Sequence, residues 1–174
     1  VTDSLEVVTD KSNLKMDLRM IYNNWKAFNS FIDSVRVEAS IQPSELDMRD
    51  IVCYAPEIDG MNELFRLSGR VAGTVASFSG KEMSVSFGSG TRFYGDVKMS
   101  GLPRFEETFM NIKMKEFRTD KNDIEQFSLP YSGGRSMVKV PKEVAQLGSV
   151  IVKGRFTGFY NDFVSNATFY TEAG

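Results

Sequence analysis

The sequence predicts a mainly β protein, built on an antiparallel-type curled sheet with a few short helices. Apolar and polar residues alternate strictly over many short segments, glycines recur on the apolar side of this alternation, and long amphipathic helical patterns are missing. Such alternation is typical of antiparallel sheets with one wetted face, whereas parallel sheets show continuous apolar runs. The pattern leaves a closed β-sandwich or barrel open as the alternative fold.

The strands follow from this alternation in chain order. In Leu14–Met20 and Val35–Ile41 the apolar residues fall on one side and the polar or charged residues on the other. Gly88-Ser89-Gly90 separates two later segments and predicts a turn between them. The complete set of predicted strands comprises residues 1–8, 14–20, 35–41, 67–75, 83–87, 93–99, 109–114, 150–160 and 167–171.

Glycines and short helices interrupt the strands. Glycines 69, 73, 95, 154 and 158 lie on the apolar side and leave room for the sheet to bend sharply. Helical spacing of apolar residues predicts a short helix between Trp25 and Val35, and two more are expected at Asp47–Ala55 and Pro141–Leu147. Each is short enough to serve only as a plug or cap on the sheet.

The composition argues against catalysis, metal binding and nucleic-acid binding. The chain has no histidine, which removes the commonest general base and metal ligand. Its single cysteine, Cys53, lies in an apolar stretch and is expected to be a buried, inert thiol. A net charge of −2 offers no basic footprint for nucleic acid. We therefore expect a non-enzymatic protein without cofactor or metal.

The polar motifs have ordinary structural explanations. Glu106–Glu107, together with Glu57 and Asp59, lack the apolar surroundings that would raise a carboxyl pKa, so solvated charges are expected. The acidic group Asp120, Asp123 and Glu125 lacks the glycine and terminal glutamate of a calcium loop and is also interpreted as surface charge. The glycine-containing segments 88–90 and 132–134 are interpreted as turns.

The apolar face is the remaining candidate site. Periodicity alone favours an ordinary closed core, although methionines are frequent on this face and suit a surface that accepts varied apolar ligands. The residues predicted to line it are Leu14, Met16, Leu18, Met20, Val35, Val37, Leu67, Val71, Val75, Met83, Val85, Phe87, Phe93, Val97, Met99, Met110, Ile112, Met114, Val150, Val152 and Phe156.

A weak internal repeat adds to this pattern. Gly69-Arg70-Val71-Ala72-Gly73, followed by Phe78, reappears as Gly154-Arg155-Phe156-Thr157-Gly158, followed by Phe163. Each copy follows one of the predicted helices, which favours a duplication and a stacked, elongated architecture. The chain is thus expected to be one β-rich segment, residues 1–174, of a longer repetitive protein, with possible duplicated units at about 14–103 and 104–174.

An ordered series of short motifs resembles the TamB-like translocation and assembly module proteins, within the AsmA-like group of the Gram-negative envelope. The motifs extend over nearly the whole chain. They are residues 22–31, Ala55-Pro56-Glu57, 67–75, Thr91-Arg92-Phe93-Tyr94-Gly95-Asp96, Ser100-Gly101-Leu102-Pro103, Thr108-Phe109, Val140-Pro141, Leu147-Gly148, Gly154-Arg155-Phe156-Thr157-Gly158 and Phe163.

The resemblance implies an elongated, U-shaped trough with an apolar interior, in a periplasmic segment of an inner-membrane-anchored protein. It implies transport of phospholipid between the membranes, assistance to the assembly of outer-membrane β-barrel proteins, or both. The implied partners are phospholipid acyl chains, unfolded outer-membrane protein strands and, for the full-length protein, an outer-membrane barrel assembly partner. No catalytic residues follow from it. Free sheet edges could also allow the segment to self-associate.

Overall fold

A single open sheet of nine antiparallel strands forms the protein, in a computed structural model that describes residues 2–52, 59–102, 104–128, 139–146, 148–159 and 161–172. The strands lie side by side in chain order, and each pairs with the next. They are β1 Thr2–Val8, β2 Asn13–Ile21, β3 Arg36–Asp47, β4 Leu64–Gly73, β5 Ser77–Phe87, β6 Thr91–Ser100, β7 Phe109–Thr119, β8 Val150–Phe159 and β9 Asp162–Thr171.

The mainly β, antiparallel fold class is confirmed, and the sheet is not closed. Among the described residues, the edge strands β1 and β9 each have a single neighbour, and no pairing joins them. The strands form one sheet in chain order, and each makes its close backbone contacts mainly with its sheet neighbours. The alternative of a closed sandwich or barrel is therefore wrong.

The helices are short and lie in the connections between strands. A 3₁₀ helix, Trp25–Ser30, leads into α1, Phe31–Ser34, and a second 3₁₀ helix spans Phe105–Glu107. The other helices are α2 Met48–Ile51, α3 Lys121–Gln126 and α4 Lys142–Ala145. The helices predicted at Asp47–Ala55 and Pro141–Leu147 thus correspond to the shorter α2 and α4. Residues 53–58, including Cys53 and Glu57, and residues 129–138 and 147 lie outside the described residues.

Helix α3 was missed by the sequence prediction, and its start explains why. Asp120 has an extended backbone, and its side chain accepts a hydrogen bond from the Asp123 backbone N–H at 3.0 Å. This is the geometry of a helix N-cap. The interpretation of Asp120 and Asp123 as mere surface charges ignored this capping pattern, because the apolar periodicity that usually reveals a helix is too short here to register.

The sheet bends along a line that crosses its strands. From β3 to β8 the strand register shifts near the middle of every pair, for example between Ile41 and Ser44, between Gly80 and Met83, and between Met114 and Phe117. Such bulges bend and twist a strand locally. Aligned across several strands they curl the whole sheet, which accords with a trough whose long axis crosses the strands.

The repeated Gly-Arg-x-x-Gly motif has a backbone explanation. Gly69 and Gly73 in β4 have φ of 138° and 137°, and Gly154 and Gly158 in β8 have φ of 157° and 139°. Side chains other than glycine are strained at such values. An added Cβ at any of these positions would also meet the neighbouring strand. The two motifs therefore mark the same local geometry in two strands four positions apart in the sheet.

Candidate apolar groove

The predicted lining residues come together on one face of the sheet. Directly paired residues of antiparallel strands share a face. One row across the sheet runs from Val71 through Gly80, Val97 and Ile112 to Phe156, each residue paired with the next. Pairings of the same kind connect the other predicted strand residues. Rows of apolar side chains therefore continue across most of the sheet.

Two predicted lining residues require correction because they lie outside the strands. Val35 caps the end of α1 and is completely buried at the start of β3, so it is a core residue and not part of an open lining. Val75 lies in the turn after β4, beyond Gly73, and is 40% exposed. The alternation in residues 67–75 extended past the true strand end because a turn residue carries no periodic signal of its own.

Other residues on this face were not predicted. Ile41 and Ala39 lie on it because they pair with Met16 and Leu18. Phe117 lies on it because it pairs with Phe93. Further members identified by register are Leu5, Leu46, Phe65, Phe78 and Phe163. Extending the alternation across the bulges would have found several of them. The bulges hide this signal, since each one reverses the phase of the alternation.

The apolar face is only partly buried. Among the described residues, the apolar side chains classed as buried are Val35, Met83, Met110 and Val152. The remaining lining residues within the strands are half-buried, except Met20 and Phe163, which are exposed. On the opposite face most side chains are exposed, which accords with a sheet that curls around its apolar face. An unclosed sheet curled in this way would form an open groove.

The convex face is polar and carries ion pairs between strands. Lys15 pairs with Glu6 at 3.1 Å, Arg66 with Glu45 at 2.9 Å, and Lys81 with Asp96 at 3.3 Å. Arg19 with Glu38, and Arg70 with Glu82, continue this pattern. Exposed pairs of this kind contribute little stability individually. Their placement nevertheless establishes which side of the sheet faces water.

Small and large residues alternate along the groove floor. An added Cβ at Gly80 would lie 2.7 Å from Met83 Cγ and 2.8 Å from Val97 Cγ2, closer than carbon atoms approach. At Gly95 it would meet the backbone of β7 and the Phe93 ring. The absence of a side chain at these two glycines leaves room for the neighbouring Met83, Val97 and Phe93 side chains. The floor of the groove is therefore continuous and apolar at these positions.

Asp123 is the most strongly held carboxylate among the described residues, and it is structural. It is 3% exposed, and its two oxygens accept backbone N–H bonds from Ser89, Gly90 and Thr91 at 3.0, 2.8 and 2.6 Å. Burial alone would raise the pKa of Asp123, but these bonds and that of the Thr91 hydroxyl outweigh it and hold the pKa below its ordinary value. The carboxylate thus fastens the β5–β6 turn to α3.

A similar arrangement fastens the β1–β2 turn to α2. Asp50 accepts hydrogen bonds from the hydroxyls of Ser12 and Thr9, which hold its pKa below the ordinary value. Asp47 is buried, and its bond from the Arg49 side chain lowers its pKa. These carboxylates have hydrogen-bond partners within the protein and lie outside the groove. They are therefore structural elements and not candidates for acid–base chemistry.

The remaining acidic motifs show no site geometry. Asp59, Glu106 and Glu107 are exposed, as the sequence predicted. Within the described ranges, no group of three or more His, Cys, Asp or Glu side chains is arranged to hold a metal ion. In the same part of the chain, no helix is long and apolar enough to cross a membrane.

Comparisons with known proteins give no further constraint. A scan against protein-family models, a search of curated proteins and a search of solved structures each found no match to this chain.

Proposed function

We propose that this chain is a segment of a non-enzymatic groove protein that holds phospholipid acyl chains on its apolar face. The observation that carries the proposal is a continuous apolar face on a single nine-stranded sheet, which is not closed among the described residues. Ordinary soluble sheets bury such a face against helices or another sheet. An apolar ligand is the simplest occupant of a groove that the protein itself leaves open.

The energetics favour an acyl chain as that ligand. Moving a methylene group from water to an apolar surface gains about 0.8 kcal/mol. A row such as Val71, Val97, Ile112 and Phe156 offers contacts across five strands without a charged interruption. Neighbouring strands are about 4.8 Å apart, so an extended chain of about 16 carbons spans four to five strands. The groove is therefore long enough for one acyl chain along its axis.

The motif series that resembles TamB-like proteins suggests the setting. We propose that the segment belongs to a periplasmic part of an inner-membrane-anchored protein and helps to move phospholipid between the two membranes. Assistance to outer-membrane β-barrel assembly is a second candidate function, because among the described residues β9 has a neighbouring strand on one edge only, and an unfolded strand could add to the other. The barrel assembly partner of the full-length protein is part of that second candidate.

Two substitutions in the groove test the proposal. Phe93→Asp and Val71→Asp place a carboxylate on the half-buried apolar floor, while Tyr94→Asp places one on the convex face of the same strand as a matched control. Binding of a fluorescent fatty acid should weaken by about tenfold or more in the two groove variants, equivalent to about 1.4 kcal/mol. The Tyr94→Asp variant should bind like the unmodified protein.

The thermal transition of each variant provides the decisive comparison. In an open groove the introduced carboxylate stays hydrated when no lipid is bound, so the folded state should survive in all three proteins. Collapse of the transition in both groove variants would instead indicate a closed core, in which an unpaired buried charge costs several kcal/mol. That result would favour a purely structural or adhesive β domain.

A further inference from the structure

Exposed apolar side chains concentrate at one end of the strands. This end carries the β2–β3, β4–β5, β6–β7 and β8–β9 connections, and we refer to it as the aromatic rim. Its exposed apolar residues are Met20, Ile21, Tyr22, Trp25, Phe28, Phe31, Val75, Phe109, Phe159, Phe163 and Val164. Large apolar patches on a protein surface usually mark an interaction site.

The opposite end of the strands is different. Its exposed large apolar side chains are fewer, namely Val7, Val8, Phe169 and Tyr170 near the ends of β1 and β9. Its described connections contain the carboxylates that fasten the turns, Asp50 and Asp123. Among the described residues, the end with the aromatic rim therefore carries the larger share of the exposed apolar side chains.

Four rings form a contiguous cluster within the aromatic rim. Tyr22, Trp25, Phe28 and Phe31 make a chain of contacts, with ring centroids 5.4 Å apart for Tyr22–Trp25, 4.9 Å for Tyr22–Phe28 and 6.1 Å for Phe28–Phe31. Trp25 is 76% exposed at the outside of this chain. Rings that pack on one another are pre-organised, so the cluster keeps its shape while it is exposed.

Backbone hydrogen bonds hold the rim connections together. The N–H of Ala76 donates to the Ile32 carbonyl at 3.0 Å, and the N–H of Gly101 donates to the Ala76 carbonyl at 2.9 Å. Three successive connections, between β2 and β3, β4 and β5, and β6 and β7, are thereby joined. The apolar side chains of the rim are consequently arranged along one fixed line and not on independent loops.

We propose that the aromatic rim contacts the interfacial layer of a phospholipid bilayer. Trp and Tyr side chains favour this layer because they combine an apolar ring with a polar group. The cluster is exposed at one end of the sheet, and it adjoins the groove through Met20 and Tyr22 at the end of β2. A bilayer accepts such an exposed cluster without a complementary pocket, whereas a protein partner requires one.

The charges of the rim indicate the kind of bilayer. Lys26 is exposed, and Arg104 pairs with Glu107 at 3.1 Å. Asp33 and Asp162 are exposed acidic residues on the same rim. This mixture gives no basic patch for anionic lipid, so contact should depend on ring insertion and should occur on zwitterionic lipid.

This inference rests on the proposed function, since a rim on the bilayer would bring the groove next to its lipid source. Trp25 is the only tryptophan in the chain, so its fluorescence reports directly on the rim. Vesicles of phosphatidylcholine should shift the Trp25 emission to shorter wavelength, and lipids brominated on their acyl chains should quench it. Both effects should be unchanged between low and high salt.

Vesicle flotation of rim variants completes the test. Phe28→Ala and Trp25→Ala should each weaken binding to phosphatidylcholine vesicles by about tenfold, whereas Val8→Ala, which removes a 64% exposed side chain at the opposite end, should not. Fatty-acid binding in the groove should remain normal in both rim variants. The groove variant Phe93→Asp should show the reverse, with vesicle binding retained and fatty-acid binding lost.

The outcomes separate the two proposals. Loss of fatty-acid binding in Phe93→Asp with no vesicle binding by any protein would support the groove and overturn the bilayer assignment. A shift of Trp25 emission that depends on protein concentration without vesicles would also overturn it, because the rim would then contact a second copy of the chain. A membrane-embedded Trp25 together with absent fatty-acid binding would retain the rim and reject the groove.

Discussion

Removal of the Asp123 carboxylate is expected to loosen the polar end of the sheet. In Asp123→Ala, the backbone N–H groups of Ser89, Gly90 and Thr91 lose their acceptor. Ser89 is exposed and Gly90 half-buried, so water can replace the carboxylate there, but Thr91 is almost fully buried. The Thr91 hydroxyl keeps its hydrogen bond with the Thr119 hydroxyl, at 2.9 Å, while the Thr91 N–H is left without an acceptor.

The expected cost follows from these partners. An orphaned buried N–H costs about 1–3 kcal/mol, and each replaceable bond to the carboxylate contributes about 0.5–1.5 kcal/mol. The variant also loses the desolvation cost of the buried carboxylate, which offsets part of this sum. We therefore expect a loss of about 3 kcal/mol in the free energy of unfolding. Asp123→Asn retains one acceptor oxygen and should lose less. Asp120→Ala removes only the α3 N-cap and should lose about 1 kcal/mol.

Denaturant unfolding followed by circular dichroism measures these differences, and pH provides a second test. The pKa of Asp123 is lower in the folded protein than in the unfolded chain, where it is about 3.9. Its contribution is therefore complete above about pH 4 and is lost as the pH falls through the folded value. The unmodified protein should lose more stability on acidification than Asp123→Asn. An Asp123→Ala variant within about 0.5 kcal/mol of the unmodified protein would refute the reasoning.

Two further substitutions test the strands themselves. Ser4 has φ of 60°, so Ser4→Gly should relieve strain and raise the free energy of unfolding by about 0.5 kcal/mol, whereas Ser40→Gly within β3 should lower it by a similar amount. Thermal unfolding of the two glycine variants measures the direction of each change in stability. A change in the same direction for both would contradict the strain assigned to the left-handed backbone of Ser4. Val164 on the β9 edge is 75% exposed, and Val164→Lys should reduce any self-association seen by sedimentation, whereas Val8→Lys on β1 should not.

The sequence predicts the sheet well because alternation directly records which side of a strand is wet. Leu14–Met20 alternates without interruption, and β2 extends over these residues with the predicted faces. Predictions fail where a local change of backbone geometry shifts the alternation of apolar and polar residues by one position. The extra residue of the bulge at Glu82, whose φ is 51°, moves Met83 onto the apolar face that Gly80 occupies. A fixed period of two cannot detect that reversal.

Openness of the face is the property that the sequence could not supply. Alternation places Val71 and Val97 away from water, but it does not reveal whether another layer covers them. The structure shows one sheet of nine strands in chain order, whose edge strands do not pair with each other among the described residues. Asp123 illustrates the same difficulty for polar residues. Its burial depends on a turn 32 to 34 residues earlier in the chain, and no local pattern contains that information.

The observed geometry recurs with a period of four strands, which gives the sequence repeat a structural basis. Ser4 in β1 and Glu82 in β5 both have left-handed backbones, and their N–H groups donate to Asp17 and Asp96 on the following strands, each at 3.0 Å. The turn-fastening carboxylates of α2 and α3 recur in the same order. These correspondences relate residues 2–73 to 77–159, whereas the division at about 14–103 and 104–174 stays a prediction.

With this period of four strands, β9 corresponds to β5, and Phe163 corresponds to Phe78. Strand β5 is joined by β6 on its second edge, whereas no strand follows β9 in the sheet among the described residues. The β8–β9 pair is also the one pair of described strands without a register shift, so β9 lacks the bulge that protects the β1 edge. A long, regular strand with one charged residue, Asp162, presents an edge to which another strand can add, and Val164→Lys is placed on this strand for that reason.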